Sequence, residues 1–145
     1  MEYSKQGLAL TESFESCRLT AYQDVRGIWT VGWGSTGPDI VEGTIWTQGQ
    51  ADSRLVMDMQ LAVSAVNRLV TIGLSQGAFD AIVDFCYNCG IEAFEGSTML
   101  KLINAGNLEA AGEEFARWDH ASGAVVAGLL RRRVAEEQEF TNGNQ

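Results

Sequence analysis

Three residues close to the N-terminus have the types and spacing of an acid–base site. They fall as Glu15-x8-Asp24-x5-Thr30 within ESCRLTAYQDVRGIWTVGWGST. Two carboxylates and a hydroxyl around a short hairpin can do acid–base work on a sugar bond. One carboxyl protonates the leaving oxygen while the other stands across the sugar. A single acidic residue is most often a solvated surface charge. Glu15 and Asp24 gain weight because they flank one hairpin and Thr30 lies beside them. Glu12 is an alternative acid, nearly one helical turn before Glu15, so both can face the same way.

The elements that must position these residues can be read from periodicity. Residues 4–16 read as a helix capped by Ser4, with Leu8, Thr11 and Glu15 on one face and Leu10 and Phe14 on an adjacent apolar stripe. Glu15 therefore closes a helix among apolar neighbours. Residues 18–35 are β-like: Leu19, Ala21, Trp29 and Val31 alternate with polar or small residues around a turn at Val25-Arg26-Gly27. Gly32 and Gly34 bracket Trp33, and glycines in a strand often mark close approach of a ligand or another backbone. A plain hairpin with a bulge gives the same pattern.

Residues 36–46, with the only proline, read as loop. Thr47 and Gln50 form a capping box for a long helix to about Leu69, its core face carrying Leu55, Met59, Ala62, Val66 and Leu69. Ser75 caps a helix with Phe79, Ile82, Val83 and Cys86 at helical spacing, stopped by Gly90. Ser97 opens a short helix ended by Gly106, and Asn107 caps another with Leu108, Ala111, Phe115 and Trp118 on one face. Residues 119–128 are Gly- and Ala-rich and read as loop. A last helix covers about 129–140, with Arg132–Glu136 and Arg133–Glu137 as i,i+4 pairs, and residues 141–145 are expected to fray.

Composition narrows the classes. A length of 145 residues with 46% hydrophobic residues fits one domain with a proper core. A formal net charge of −9 leaves no basic surplus for phosphates, so no nucleic-acid partner is expected. No apolar run approaches the ~20 residues a membrane span needs, and the start of the chain lacks the character of a signal peptide. Cys17, Cys86 and Cys89 are expected to be reduced thiols. Cys86-x-x-Cys89 closes a helical run rather than opening one, which argues against redox chemistry. His120 is the only histidine and is expected at the surface, so no metal and no cofactor are expected.

The stretch as a whole, Glu-x-x-x-Leu-x-Ala-Tyr-x-Asp-x-x-Gly-x-x-Thr-x-Gly-x-Gly, resembles the phage-type lysozymes (endolysins), T4-like and lambdoid. The resemblance extends over most of the chain. Leu74-Ser75 through Asp80 to Tyr87-Asn88-x-Gly90 resembles the family's central helix, and Phe94-x-x-Ser97-Thr98-Met99-Leu100 its next helix start. Phe115-x-Arg117-Trp118, Gly128-Leu129 and Arg132-Arg133 resemble its closing segment. The resemblance implies an α+β, mainly helical, lysozyme-like domain over residues 1–145. Its small lobe, about 12–50, would carry the hairpin. Its helical lobe, about 51–145, would be joined through the long helix and would pack the N-terminal helix.

The implied activity is hydrolysis of the β-1,4 bond between N-acetylmuramic acid and N-acetylglucosamine in peptidoglycan, for host lysis. By the same resemblance Glu15 is the acid, a choice over Glu12 that the Tyr22-x-Asp24 spacing favours. Asp24 positions water or stabilises the sugar cation, and Thr30 holds the water. Tyr22, Trp33, Tyr87, Asn88 and Arg132 are expected to contact the glycan. Trp29, Trp33 and Trp46 can stack on sugars or serve as core. The Arg131-Arg132-Arg133 cluster is either a helix-stabilising face or a site for stem-peptide carboxylates. A monomer is expected, made in the host cytoplasm and acting on the wall after release through a holin or another export route.

Some features depart from the family pattern. Ser16 stands where Gly is usual, Ser35 where several relatives carry His, and the charge is acidic where many relatives are basic. No N-terminal anchor segment of the kind some lambdoid endolysins use is visible. Two other readings remain: a lytic transglycosylase, which needs the Glu but not Asp24 and Thr30, and a silent wall-binding module, which should have lost one of the three residues.

Overall fold

The structure is a computed structural model that describes residues 1–121 and 124–143. Its chain divides into two compact units: residues 11–60, and residues 1–10 together with 61 onward. The class is α+β, mainly helical. The described residues form α1 (Lys5–Phe14), β1 (Arg18–Gln23), β2 (Trp29–Gly32), α2 (Gln48–Leu69), α3 (Gln76–Cys89), α4 (Ile91–Glu95), α5 (Thr98–Asn104), α6 (Leu108–Glu114), a 3-10 turn (Phe115–Trp118), β3 (His120–Ala121), β4 (Ala124–Val125) and α7 (Ala127–Gly143). The division between units falls inside α1 and α2.

In the hairpin unit, β1 and β2 pair antiparallel, with Tyr22 opposite Thr30 and Gln23 opposite Trp29. A register irregularity lies between Arg18 and Tyr22. The supposed loop after the hairpin contributes a third edge. Ala21 N–H donates to Thr44 O and Trp46 N–H to Leu19 O, each at 2.8 Å. The buried side chains of Val31, Ile40, Leu55 and Met59 form this unit's apolar interior. α2 starts where the capping box places it: Thr47 N–H donates to Gln50 Oε1 (2.8 Å) and Gln50 N–H to Thr47 Oγ1 (3.1 Å).

In the helical unit the local caps form as their residue types require. Ser75 Oγ accepts from Ala78 N–H, Ser97 Oγ from Leu100 N–H, and Asn107 Oδ1 from Ala110 N–H. Ser4 Oγ accepts from Gly7 N–H and also donates to Asp80 in α3. The centre is aromatic. Phe85 on α3 meets Phe94, Phe115 and Trp118 edge-on, at centroid separations of 6.3, 5.6 and 5.4 Å.

Three expectations are corrected here. α4 was not foreseen; it is five residues long and is held by the buried side chain of Phe94. The stretch 119–128 is not wholly loop: His120 pairs with Val125 and Ala121 with Ala124, and α7 begins at Ala127. Ser122 and Gly123 lie outside the described residues. α7 also runs on to Gly143, so residues 141–143 are helical rather than frayed. Residues 144–145 lie outside the described residues.

A further correction concerns charge. Arg132, Arg133 and Glu136 on α7 are buried; the expected Arg132–Glu136 pair is present at 3.8 Å, but Arg133 takes Glu136 rather than Glu137. Arg132 grips Asp84 of α3 with Nε and Nη2, at 2.9 and 2.8 Å. Arg133 donates to Glu136 at 2.7 Å, to Asn88 at 2.8 Å and to Cys89 Sγ at 2.6 Å. Its guanidinium also lies 5.1 Å from the Phe85 ring centre. Burial, then the neighbouring Asp84, holds the Glu136 carboxyl well above its ordinary value.

Candidate active site

Glu15, Asp24 and Thr30 all belong to the hairpin unit. Glu15 follows the last residue of α1, its N–H bonded to Thr11 O at 3.1 Å. It is half-buried. Its Oε2 lies 3.7 Å from where a Cβ would stand on Gly34. Gly34 has φ +98°, a conformation that L side chains rarely adopt. Glycine at this point serves twice: it lets the chain leave β2, and it keeps the space beside the Glu15 carboxylate clear.

Asp24 and Thr30 are held by one residue. Asp24 N–H donates to Ile28 O (2.9 Å), and Ile28 N–H returns to Asp24 Oδ1 (3.0 Å). Thr30 Oγ1 donates to the same Ile28 carbonyl (3.0 Å). Arg26 N–H adds a further bond to Asp24 Oδ1 (2.8 Å). The backbone N–H of Ile28 is the largest cause that holds the Asp24 carboxyl below its ordinary range, with Arg26 helping. Asp24 is therefore a carboxylate at neutral pH. Thr30 is buried and gives its hydroxyl proton to Ile28, so toward a further molecule its oxygen acts as an acceptor. Two acceptors tied to one residue can accept both hydrogen bonds that a single water donates and leave its lone pair free.

The structure brings Tyr22 and Trp33 into the same unit. Tyr22 is the cross-strand partner of Thr30, and the Arg18 guanidinium covers its ring at 4.1 Å from the centre. The Trp33 indole N–H donates to Asp52 at 2.8 Å. Gln48 also donates to Asp52 (2.8 Å), and together these donors hold that carboxyl below its ordinary range. Glu12 is raised, first by burial and then by the charge of Asp52. Ser35 is buried and donates to Asp58 at 2.6 Å.

Tyr87, Asn88 and Arg132 belong to the other unit. Tyr87 and Asn88 form the last turn of α3. Arg133 occupies the Asn88 carbonyl oxygen, which leaves the amide nitrogen as that side chain's outward donor. Arg132 is 4% exposed and forked onto Asp84, so its place is inside the core and it presents no surface to a glycan. Sequence reasoning missed Ile28 and Asp52, which carry no local signal, and marked Gly34 as a point of close approach.

The phage lysozyme family profile matches residues 12–136, a span that holds every residue of the hairpin set. The chain belongs to the phage lysozyme family. An endolysin of Bacillus phage PZA is 37% identical over 99% of this chain, and this chain spans about half (56%) of that protein's length. An endolysin of Acyrthosiphon pisum secondary endosymbiont phage 1 is 36% identical, over 97% of this chain and 98% of its own. Among solved structures, the muramidase domain of SpmX from Asticaccaulis excentricus superposes with a TM-score of 0.90 at 39% identity, covering 96% of this chain and 97% of that one. This phage lysozyme domain has no described helix long and apolar enough to cross a membrane. All three of its cysteines are free thiols.

Proposed function

We propose that this domain is a peptidoglycan hydrolase that cleaves the β-1,4 bond between N-acetylmuramic acid and N-acetylglucosamine, and that it serves phage-driven lysis of a bacterial host. Glu15 is the general acid and protonates the leaving glycosidic oxygen. Asp24 and Thr30 accept hydrogen bonds from one water, whose lone pair is then turned toward the anomeric carbon. As that oxygen bonds to the anomeric carbon, one of its protons passes to Asp24 and the other stays in the hydroxyl of the new reducing end, while the glycosidic bond breaks and the proton from Glu15 goes to the departing sugar. Tyr22 and Trp33 are glycan contacts of the hairpin unit, and Tyr87 and Asn88 are glycan contacts carried by the helical unit.

The observation that carries this reading is the shared hold of Ile28 on Asp24 and Thr30. It gives the hydroxyl a direction and the carboxylate a charge, as hydrolysis requires and transglycosylation does not. The name muramidase borne by the SpmX domain and the name endolysin borne by the phage relatives support the substrate class. The test is Glu15→Gln beside Glu12→Gln, scored by clearing of permeabilised cells and by thermal unfolding. Glu15→Gln should lose activity by about 10²-fold or more with unfolding unchanged. Near-normal activity in that variant, with loss in Glu12→Gln, would transfer the acid role to Glu12.

A further inference from the structure

Apart from the proposed reacting groups, the hairpin unit carries a groove on the first turns of α2. It has a volume of about 600 Å³ and is lined by Trp46, Gly49, Gln50, Ser53, Arg54 and Met57, with Thr47 at its edge. Trp46 is fixed in place. A Cβ on Gly32, at φ +68°, would stand 3.1 Å from the indole, so the ring packs closely on that glycine. The Arg54 guanidinium stands 5.6 Å from the ring centre. Met57 is 65% exposed, which is high for a large apolar side chain.

The groove's chemistry selects its ligand. No carboxylate lines it, although the chain carries a net charge of −9. Its one cation is already committed. Arg54 Nη1 binds Asp39 (2.8 Å), Nε binds Asp58 (3.2 Å) and Nη2 binds Thr36 O (3.0 Å). That guanidinium has little left for a phosphate or a peptide carboxylate. What remains is an aromatic ring, an exposed thioether and two neutral polar side chains. The Gln50 carbonyl oxygen is held by Thr47 N–H, which leaves its amide nitrogen as a donor. An aromatic plane with flanking amide and hydroxyl groups suits the C–H face and the hydroxyl or acetamido groups of an uncharged pyranose. The groove is shallow and open, which suits a polymer lying across it better than an enclosed small molecule.

We propose that the Trp46–Met57 groove is a second glycan-binding site, taking uncharged N-acetylated sugars of the polymer on which the hairpin acts. It rests on the hydrolase reading for its ligand class. A second hold on the same insoluble polymer converts each later encounter into a local one and lengthens residence, with no change in the chemistry.

The test uses the full chain with Glu15→Gln, which stops turnover, and a soluble oligomer of β-1,4-linked N-acetylglucosamine as probe. Binding is followed by two-dimensional nuclear magnetic resonance. Saturable shifts are expected at the Trp46 indole N–H, the Gln50 side-chain amide, Ser53 N–H and the Met57 methyl. The second variant adds Gly49→Glu. A Cβ at Gly49 meets only Thr47 Oγ1, at 3.9 Å, and a carboxylate suits a helix's first turn, so the fold is kept while the groove is filled. Affinity at the groove should then fall about tenfold or more while the shifts at Trp29 and Trp33 persist. Silence in the groove, whether or not the hairpin responds, overturns the proposal, as do groove shifts that survive Gly49→Glu. A groove that responds beside a silent hairpin supports the groove and counts instead against the hairpin as the reacting centre.

Discussion

Asp24 in the hairpin unit and Asp84 in the helical unit are the same side chain under opposite conditions. Asp24 is held by the peptide N–H groups of Arg26 and Ile28, and 24% of its side chain is open to solvent. Asp84 has no exposed side chain and faces the two-pronged grip of Arg132. A carboxylate held by backbone N–H groups keeps lone pairs for an incoming molecule. One forked by a buried guanidinium has given them to the core, where removing either partner strands a charge. In the proposed hydrolysis the chemistry is sited on a turn whose order is local, while the helical unit uses its buried charges to join α3 to α7.

The largest expected effect separates these two aspartates. Asp84→Asn leaves Arg132 buried beside a neutral partner and should cost about 3–5 kcal/mol in urea unfolding. Asp24→Asn keeps an acceptor for the turn and should barely move the unfolding midpoint, yet lose most of the turnover. Similar unfolding curves for the two variants would break the comparison.

Thr30→Val comes next. It preserves shape and removes only the hydroxyl, so stability should fall by about 1 kcal/mol, the worth of the bond to Ile28 O. Turnover should fall about tenfold or more if the oxygen positions water. Unchanged initial rates of cell-wall clearing would show that the hydroxyl is structural.

A smaller effect tests the buried cluster through pH. The Glu136 carboxyl is raised above its ordinary value of 4.5, first by burial and then by Asp84. A raised folded-state value means that its contribution is whole below the unfolded value and is lost as pH rises through the folded one. The wild-type chain should lose stability from about pH 5 upward by a component that Glu136→Gln removes. Parallel urea midpoints for the two proteins across that range would contradict this. The smallest effect is kinetic: burial, with Cys89 beside it, pushes the Cys86 thiol up to about 11. Cys86 should therefore be the slowest of the three thiols to alkylate in the folded chain at neutral pH, and should lose that distinction in urea.

What was legible in the sequence was whatever short-range chemistry decides. Ser75, Ser97, Asn107 and the Thr47–Gln50 pair each cap a helix through an N–H three residues away, so residue type and position suffice. The glycines and the Asp24-Val25-Arg26-Gly27 turn marked the hairpin for the same reason. The residues carried by the family resemblance fall in one unit as far as Glu15, Asp24, Thr30, Tyr22 and Trp33 are concerned. The rest depended on partners far along the chain. Arg132 does pair with Glu136 as its i,i+4 spacing announced, but its closer partner, Asp84, lies 48 residues away, where no local pattern points to it. α4 has only five residues and no period to detect, and burial of Phe94 holds it. The edge made by residues 44–46 exists only because β1 offers it hydrogen bonds.

The central claim is that a water held by Asp24 and Thr30 attacks the glycosidic carbon. Digestion of purified peptidoglycan in water labelled with heavy oxygen, followed by mass spectrometry of the released muropeptides, tests it most directly. The account predicts reducing muramic acid ends that each carry one heavy oxygen. Anhydro-muramic ends without the label would contradict it and make the domain a transglycosylase.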